Sequence, residues 1–89
     1  LGEMQAAEEI ARKVVDLQKK LFPDTHITVM RRQAGLAAIL IEKHKVAEAK
    51  AILSEEINIL REKGIENGAF TKRVYDLYTQ CLRKESEVE

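Results

Sequence analysis

Few side chains in this 89-residue chain are of the types that do chemistry, and their spacing keeps them apart. The histidines are His26 and His44, and the one cysteine is Cys81. A helix joining the two histidines would hold them about 27 Å apart at about 1.5 Å per residue. That is too far for one metal ion, and no HExxH or CxxC spacing is present to ligate zinc. Cys81 shares a helical stripe with Phe70, Val74 and Leu77. That is the setting of a small buried hydrophobe, whereas a nucleophile needs a neighbouring base. The glycines of GIENG, Gly64 and Gly68, lack the Gly-Lys-Ser/Thr ending that lets a loop cradle phosphate. The carboxylates fall on polar helix faces among Lys and Arg. The sequence therefore predicts a protein that is not an enzyme and carries no metal or cofactor.

Composition narrows the remaining classes. With 15 basic and 15 acidic residues the chain has no net charge, which argues against a nucleic-acid module driven by positive charge. A hydrophobic share of 45% is that of a folded domain. No apolar run approaches the ~20 residues that span a bilayer. The start, LGEMQAAEE, has no apolar signal segment and no initiator Met, so the chain reads as a piece of a longer protein. A lone cysteine suits a reducing compartment, and the cytoplasm is the expected location.

The elements that must position any surface are helices. The chain has one Pro and four Gly among many Ala, Leu, Ile, Glu and Lys. The first helix is predicted over about 3–21, with Ala7, Ile10, Ala11, Val14, Leu17 and Leu21 inward. Glu8–Arg12, Glu9–Lys13 and Asp16–Lys20 form i,i+4 pairs on its solvated side. Pro23 ends it, and Asp24 or Thr25 is expected to cap the next helix, with His26 in its first turn. The second helix, about 26–43, turns Ile27, Met30, Ala34, Ala37 and Ile41 inward, flanked by Val29, Leu36 and Leu40. Gly35 inside it costs about 1 kcal/mol against Ala, offset by the close approach of another helix. His44, with φ > 0, marks the turn. The third helix, about 46–63, buries Ala49, Ile52, Leu53, Ile57 and Leu60. Gly64 caps its end and Ile65 folds back on it. Asn67 caps the fourth helix, about 68–84. That helix has one apolar edge of Phe70, Val74, Leu77 and Cys81 and another of Tyr75, Tyr78 and Leu82. The tail ESEVE is expected to fray.

The chain repeats itself. A shift of 42 residues carries Ala7 onto Ala49, Ile10 onto Ile52, Val15 onto Ile57 and Leu17 onto Ile59. The same shift carries Arg31 onto Arg73, Leu36 onto Tyr78 and Leu40 onto Leu82. Stacked helical hairpins produce such periods. They also explain the alanines around the short turn at 42–46, because Ala37 and Ala49 let two helices approach at the near end of about 8–10 Å.

LAAIL at 36–40 followed by AEAKAIL at 47–53 resembles the core of a tetratricopeptide repeat. Leu36, Ala37, Leu40, Ala49 and Leu53 stand at that pattern's large and small positions. The 42-residue period and FPDTH at 22–26 are similar to the longer repeats of kinesin-light-chain type. The C-terminal helical lobe of SET-and-MYND-type methyltransferases looks similar around FPDTH and AEAKAIL. Gln33, Ala37, His44 and Glu56 depart from the pattern, where an aromatic, two glycines and an alanine are usual. The resemblance implies an all-α stack of antiparallel hairpins, a four-helix α-solenoid fragment filling 1–89. A plain four-helix bundle is the alternative.

The resemblance also implies what the protein does. The second and fourth helices would line a groove that holds a peptide or partner protein, with Arg31, Arg73, Ala34, Ala38 and Gln80 on its wall. Asp76, Ile41 and Arg83 follow on the same face. Two arginines suit an acidic peptide, since each guanidinium can grip a carboxylate through paired hydrogen bonds. The alternative is a structural or regulatory lobe that packs on its own chain or self-associates through Tyr75, Tyr78 and Leu82.

Overall fold

The structure, a computed structural model, describes residues 2–88. It contains four helices: α1 (Gly2–Leu21), α2 (Ile27–Glu42), α3 (Val46–Glu62) and α4 (Ala69–Val88). No strand occurs among the described residues, and the fold is all-α. Helix α2 is central: it packs on α1, α3 and α4, while α3 also packs on α4. Among the described residues, the backbone of α1 approaches neither α3 nor α4. A closed ring of four helices would bring the first and last together, so this arrangement is open at both ends.

The turns follow from local chemistry. His44 takes φ 63°, as predicted. Its N–H donates to Ile41 O at 3.0 Å, and that of Lys45 donates to Leu40 O at 2.8 Å. Gly64, at φ 71°, repeats the arrangement after α3. Its N–H donates to Arg61 O at 3.0 Å and that of Ile65 to Leu60 O at 2.9 Å. Both are Schellman ends, in which a left-handed residue lets two backbone donors satisfy orphan helix carbonyls. The start of α2 differs from expectation. His26, not Asp24 or Thr25, is the cap: its Nδ1 accepts from Thr28 N–H at 3.1 Å. Its ring stacks on Phe22 with centroids 4.4 Å apart, which fixes the imidazole for that bond. At α4 the first helical carbonyl belongs to Gly68, which accepts from Lys72 N–H at 3.0 Å; the boundary thus falls one residue after Asn67. Helix α4 runs on to Val88, through most of the tail expected to fray; Glu89 lies outside the described residues. A Lys50–Glu85 ion pair of 3.0 Å ties this last stretch to α3.

The core is built from the stripes of α2, α3 and α4, with Val15 contributed by α1. Met30, Ala34, Leu36, Ala37, Leu40 and Ile41 pack with Ala49, Leu53, Ile57 and Leu60 of α3 and with Val74, Leu77 and Cys81 of α4. Ala37 and Ala49 have no exposed surface, as the close approach of their helices requires. Gly35 does not serve such an approach: a Cβ built on it meets nothing within 4 Å.

Helix α1 departs most from expectation. Ile10, Leu17 and Leu21 have the spacing of inward residues but stand 62%, 58% and 72% exposed. Only Glu8 and Val15 are buried, with Ala7, Ala11, Val14 and Gln18 half-buried. The reason is geometric. One helix covers one strip of its neighbour, and the backbone of α1 packs on that of α2 alone, so part of its wide apolar face is left uncovered. Glu8, expected in solvent, is instead the hub of a polar clasp. It accepts from Lys43 Nζ at 2.6 Å, Lys45 Nζ at 3.0 Å and Arg12 Nε at 2.8 Å. Arg12 also grips Glu48 through two bonds of 2.8 and 3.0 Å. Lys43 first, then Lys45 and Arg12, hold the Glu8 carboxyl down at about 2. The clasp joins α1 to the turn between α2 and α3 and to the first turn of α3.

Candidate functional site

Arg31 enters from the first turns of α2 and Arg73 from those of α4. The shift of 42 residues makes these equivalent positions on successive hairpins. Because α2 packs on α4, the two residues border one concavity. Arg31, Arg73, Ala69 and Phe70 line a concavity of about 370 Å³. A second, of about 330 Å³, continues along α4 past Ala69, Lys72, Arg73, Asp76, Leu77 and Gln80. Ala69 and Arg73 border both, so the two adjoin as a shallow trough, which lies between α2 and α4 at Arg31 and on α4 alone beyond Arg73. Among the described residues neither Arg31 nor Arg73 makes an ion pair with a carboxylate. Their donors are free for a ligand, and an arginine fork can bind a carboxylate through two hydrogen bonds.

Two residues expected on this wall do not contribute to it. Ala34 has no exposed surface, and Ile41 only 2%; both belong to the core. The stripe offered outward by α2 is rotated from them and runs Arg31, Gly35, Ala38 and Glu42 at i, i+4, i+7 and i+11. Ala38 is half-buried against the core. With open space over Gly35, this stripe is low between the longer side chains at its ends. Asp76 gives the trough an acidic member beside Lys72 and Arg73.

Tyr75 and Tyr78 line a separate concavity of about 380 Å³ with Ser54, Ile57, Asn58 and Arg61, between α3 and α4. Tyr75 is 38% and Leu82 44% exposed, while Tyr78 is half-buried against the core. This edge lies one position round from the trough residues Arg73 and Asp76, so the two surfaces of α4 are distinct.

Sequence reasoning missed Glu56. The sequence marks it as a charged residue where a small one is usual, but does not reveal its burial. Glu56 is 4% exposed, and neither carboxylate oxygen has a hydrogen-bond partner. Burial, with Glu55 nearby, pushes its carboxyl up to about 8. A polar residue on the stripe Ala49–Leu53–Leu60 was the available signal. Cys81, fully buried, has its thiol raised by burial. Among the described residues no three His, Cys, Asp or Glu side chains gather as metal ligands would, and no helix is long and apolar enough to cross a membrane.

The chain matches no protein-family model, no curated protein and no solved structure. The functional reading therefore rests on residue pattern, helix arrangement and the geometry of these surfaces.

Proposed function

We propose that this chain is a non-catalytic protein-interaction module, a short tetratricopeptide-like stack whose α2/α4 trough binds an acidic peptide. One observation carries the reading: Arg31 and Arg73, equivalent in the repeat, border a single concavity of about 370 Å³ without carboxylate partners among the described residues. A helical repeat works by such surfaces, because each hairpin adds one more row of side chains to a continuous wall. The open ends and the succession of contacts α1–α2, α2–α3, α3–α4 and α2–α4 suit a stack better than a closed bundle. The favoured ligand carries two carboxylates in an extended segment, one for each guanidinium. A cytoplasmic setting fits the single buried cysteine.

The test is selection from a displayed random-peptide library against the wild-type chain and an Arg31→Glu/Arg73→Glu variant. Both residues are exposed, so the variant keeps the fold. Wild type should enrich peptides with paired Asp or Glu, binding at least ~10-fold tighter to it than to the variant and weakening with salt. Equal binding of the same peptides by both proteins would remove the trough from the account.

A second reading, association through Tyr75, Tyr78 and Leu82, is supported by the exposure of Tyr75 and Leu82 on an edge of α4 outside the trough.

A further inference from the structure

The repeat register says what the uncovered faces of α1 and α4 are shaped to meet. Helices α1 and α3 are equivalent under the shift of 42 residues, yet the backbone of α3 packs on two helices and that of α1 on one. Ile52 and Ile59 of α3 are half-buried and packed on the core. Their equivalents Ile10 and Leu17 are 62% and 58% exposed. The difference locates the missing neighbour: it stands to α1 as α2 stands to α3. The same comparison applies at the other end. Leu36 and Leu40 of α2 are 4% and 0% exposed. Their equivalents on α4 are Tyr78, half-buried, and Leu82, 44% exposed. Helix α4 therefore lacks a neighbour that stands to it as α3 stands to α2.

One chain carries both halves of this contact. We propose that the chain self-associates head to tail, the Tyr75–Tyr78–Leu82 edge of α4 in one copy packing on the Ile10–Val14–Leu17 face of α1 in the next. The occupant of each face is thus a second copy of this chain. The contact repeats the antiparallel α2–α3 hairpin without its covalent turn. In that register Leu82 falls beside Ala7 and Ile10, and Tyr75 beside Val14 and Leu17. The chemistry agrees: aliphatic side chains on α1 meet two aromatics and a leucine on α4, and tyrosine suits an interface because it joins an apolar ring to a polar tip. The inference rests on the second reading above and names the partner face that reading lacks. Because the two faces differ, the contact is heterologous, and it propagates instead of stopping at a symmetric pair.

Sedimentation velocity over a concentration series of about 5 to 500 µM, the range suited to a small interface, tests this. Wild type should grow through dimer and trimer as concentration rises. Leu17→Glu and Leu82→Glu each charge one face. Both positions are exposed, so circular dichroism should show unchanged helix content. Each variant alone should stay monomeric. Mixed, they should form a 1:1 dimer and go no further, because one supplies an intact α4 edge and the other an intact α1 face. Arg31→Glu/Arg73→Glu should assemble like wild type, which separates this contact from the peptide trough. A wild-type chain that stays monomeric throughout overturns the proposal. So does a Leu82→Glu variant that still dimerises, which would assign the contact to two α1 faces and remove α4 from it.

Discussion

Replacing Glu56 by Met should stabilise the chain, and by an amount that grows with pH. The wild-type carboxyl is buried without a hydrogen-bond partner and titrates at about 8, against an ordinary value of 4.5. Its folded value is raised above the unfolded one. Folding therefore holds the proton, and stability is fully present below pH 4.5 and is lost as pH rises toward 8. At about 1.36 kcal/mol per pH unit, the loss between pH 5 and 8.5 comes to roughly 4 kcal/mol. That is a large part of the roughly 4–13 kcal/mol expected for a domain of this size. Met keeps the unbranched shape and adapts to the site without a polar atom that needs a partner. Urea unfolding of both proteins at pH 5, 7 and 8.5 reads the effect. The Cys81 thiol, raised by burial from an ordinary 9.0, is common to both proteins and cancels on subtraction. Subtracting the two profiles cancels the histidines. The difference should widen by roughly 4 kcal/mol across the range. Profiles that run parallel would refute the reasoning, and would mean that the carboxylate finds solvent or a donor when it ionises.

Other perturbations follow from the same structure. Gly35→Ala should stabilise by about 1 kcal/mol in urea unfolding, since the position is helical and a methyl group meets nothing there. His44→Gly should add roughly 0.5 kcal/mol, the relief of a left-handed residue less the greater unfolded freedom of Gly. Leu53→Ala, in the middle of the core, should cost about 3 kcal/mol and lower the thermal midpoint accordingly. Glu8→Gln should loosen α1, read as faster amide exchange over Val14–Leu21. It should also flatten the acid limb of the stability profile. The Glu8 carboxyl is held down at about 2, so its contribution is present above pH 4.5 and is lost as pH falls toward 2.

Much of the fold is legible in the sequence because local rules agree with packing. His44 and Gly64 announce the left-handed ends of α2 and α3, and both take φ > 0. The stripe Phe70–Val74–Leu77–Cys81 identifies the inner face of α4, since three of its members are buried and Phe70 packs on the core. What sequence leaves open is how many neighbours a helix has. Ile10 and Leu17 have the pattern of core residues, but nothing in α1 says that only α2 will cover it. Glu56 is misread for the opposite reason: a charged residue suggests solvent, while α3 is enclosed by two helices. Ala34 shows the limit of carrying a face over from a resemblance. A small rotation of α2 puts it in the core and brings Gly35 to the surface instead. Arg31 and Arg73 nonetheless border one concavity, since neither lies on the buried stripe of its helix.

Peptide binding in the trough is tested most directly by an NMR titration. Amide spectra of the labelled chain would be followed while an extended peptide carrying two glutamates is added, at low and at high salt. Binding in the trough predicts shifts gathered at Arg31, Gly35, Ala38, Ala69, Arg73 and Gln80, shrinking with salt and absent in Arg31→Glu/Arg73→Glu. Shifts gathered at Ile10, Leu17, Tyr75 and Leu82, or none at the trough at millimolar peptide, would contradict it.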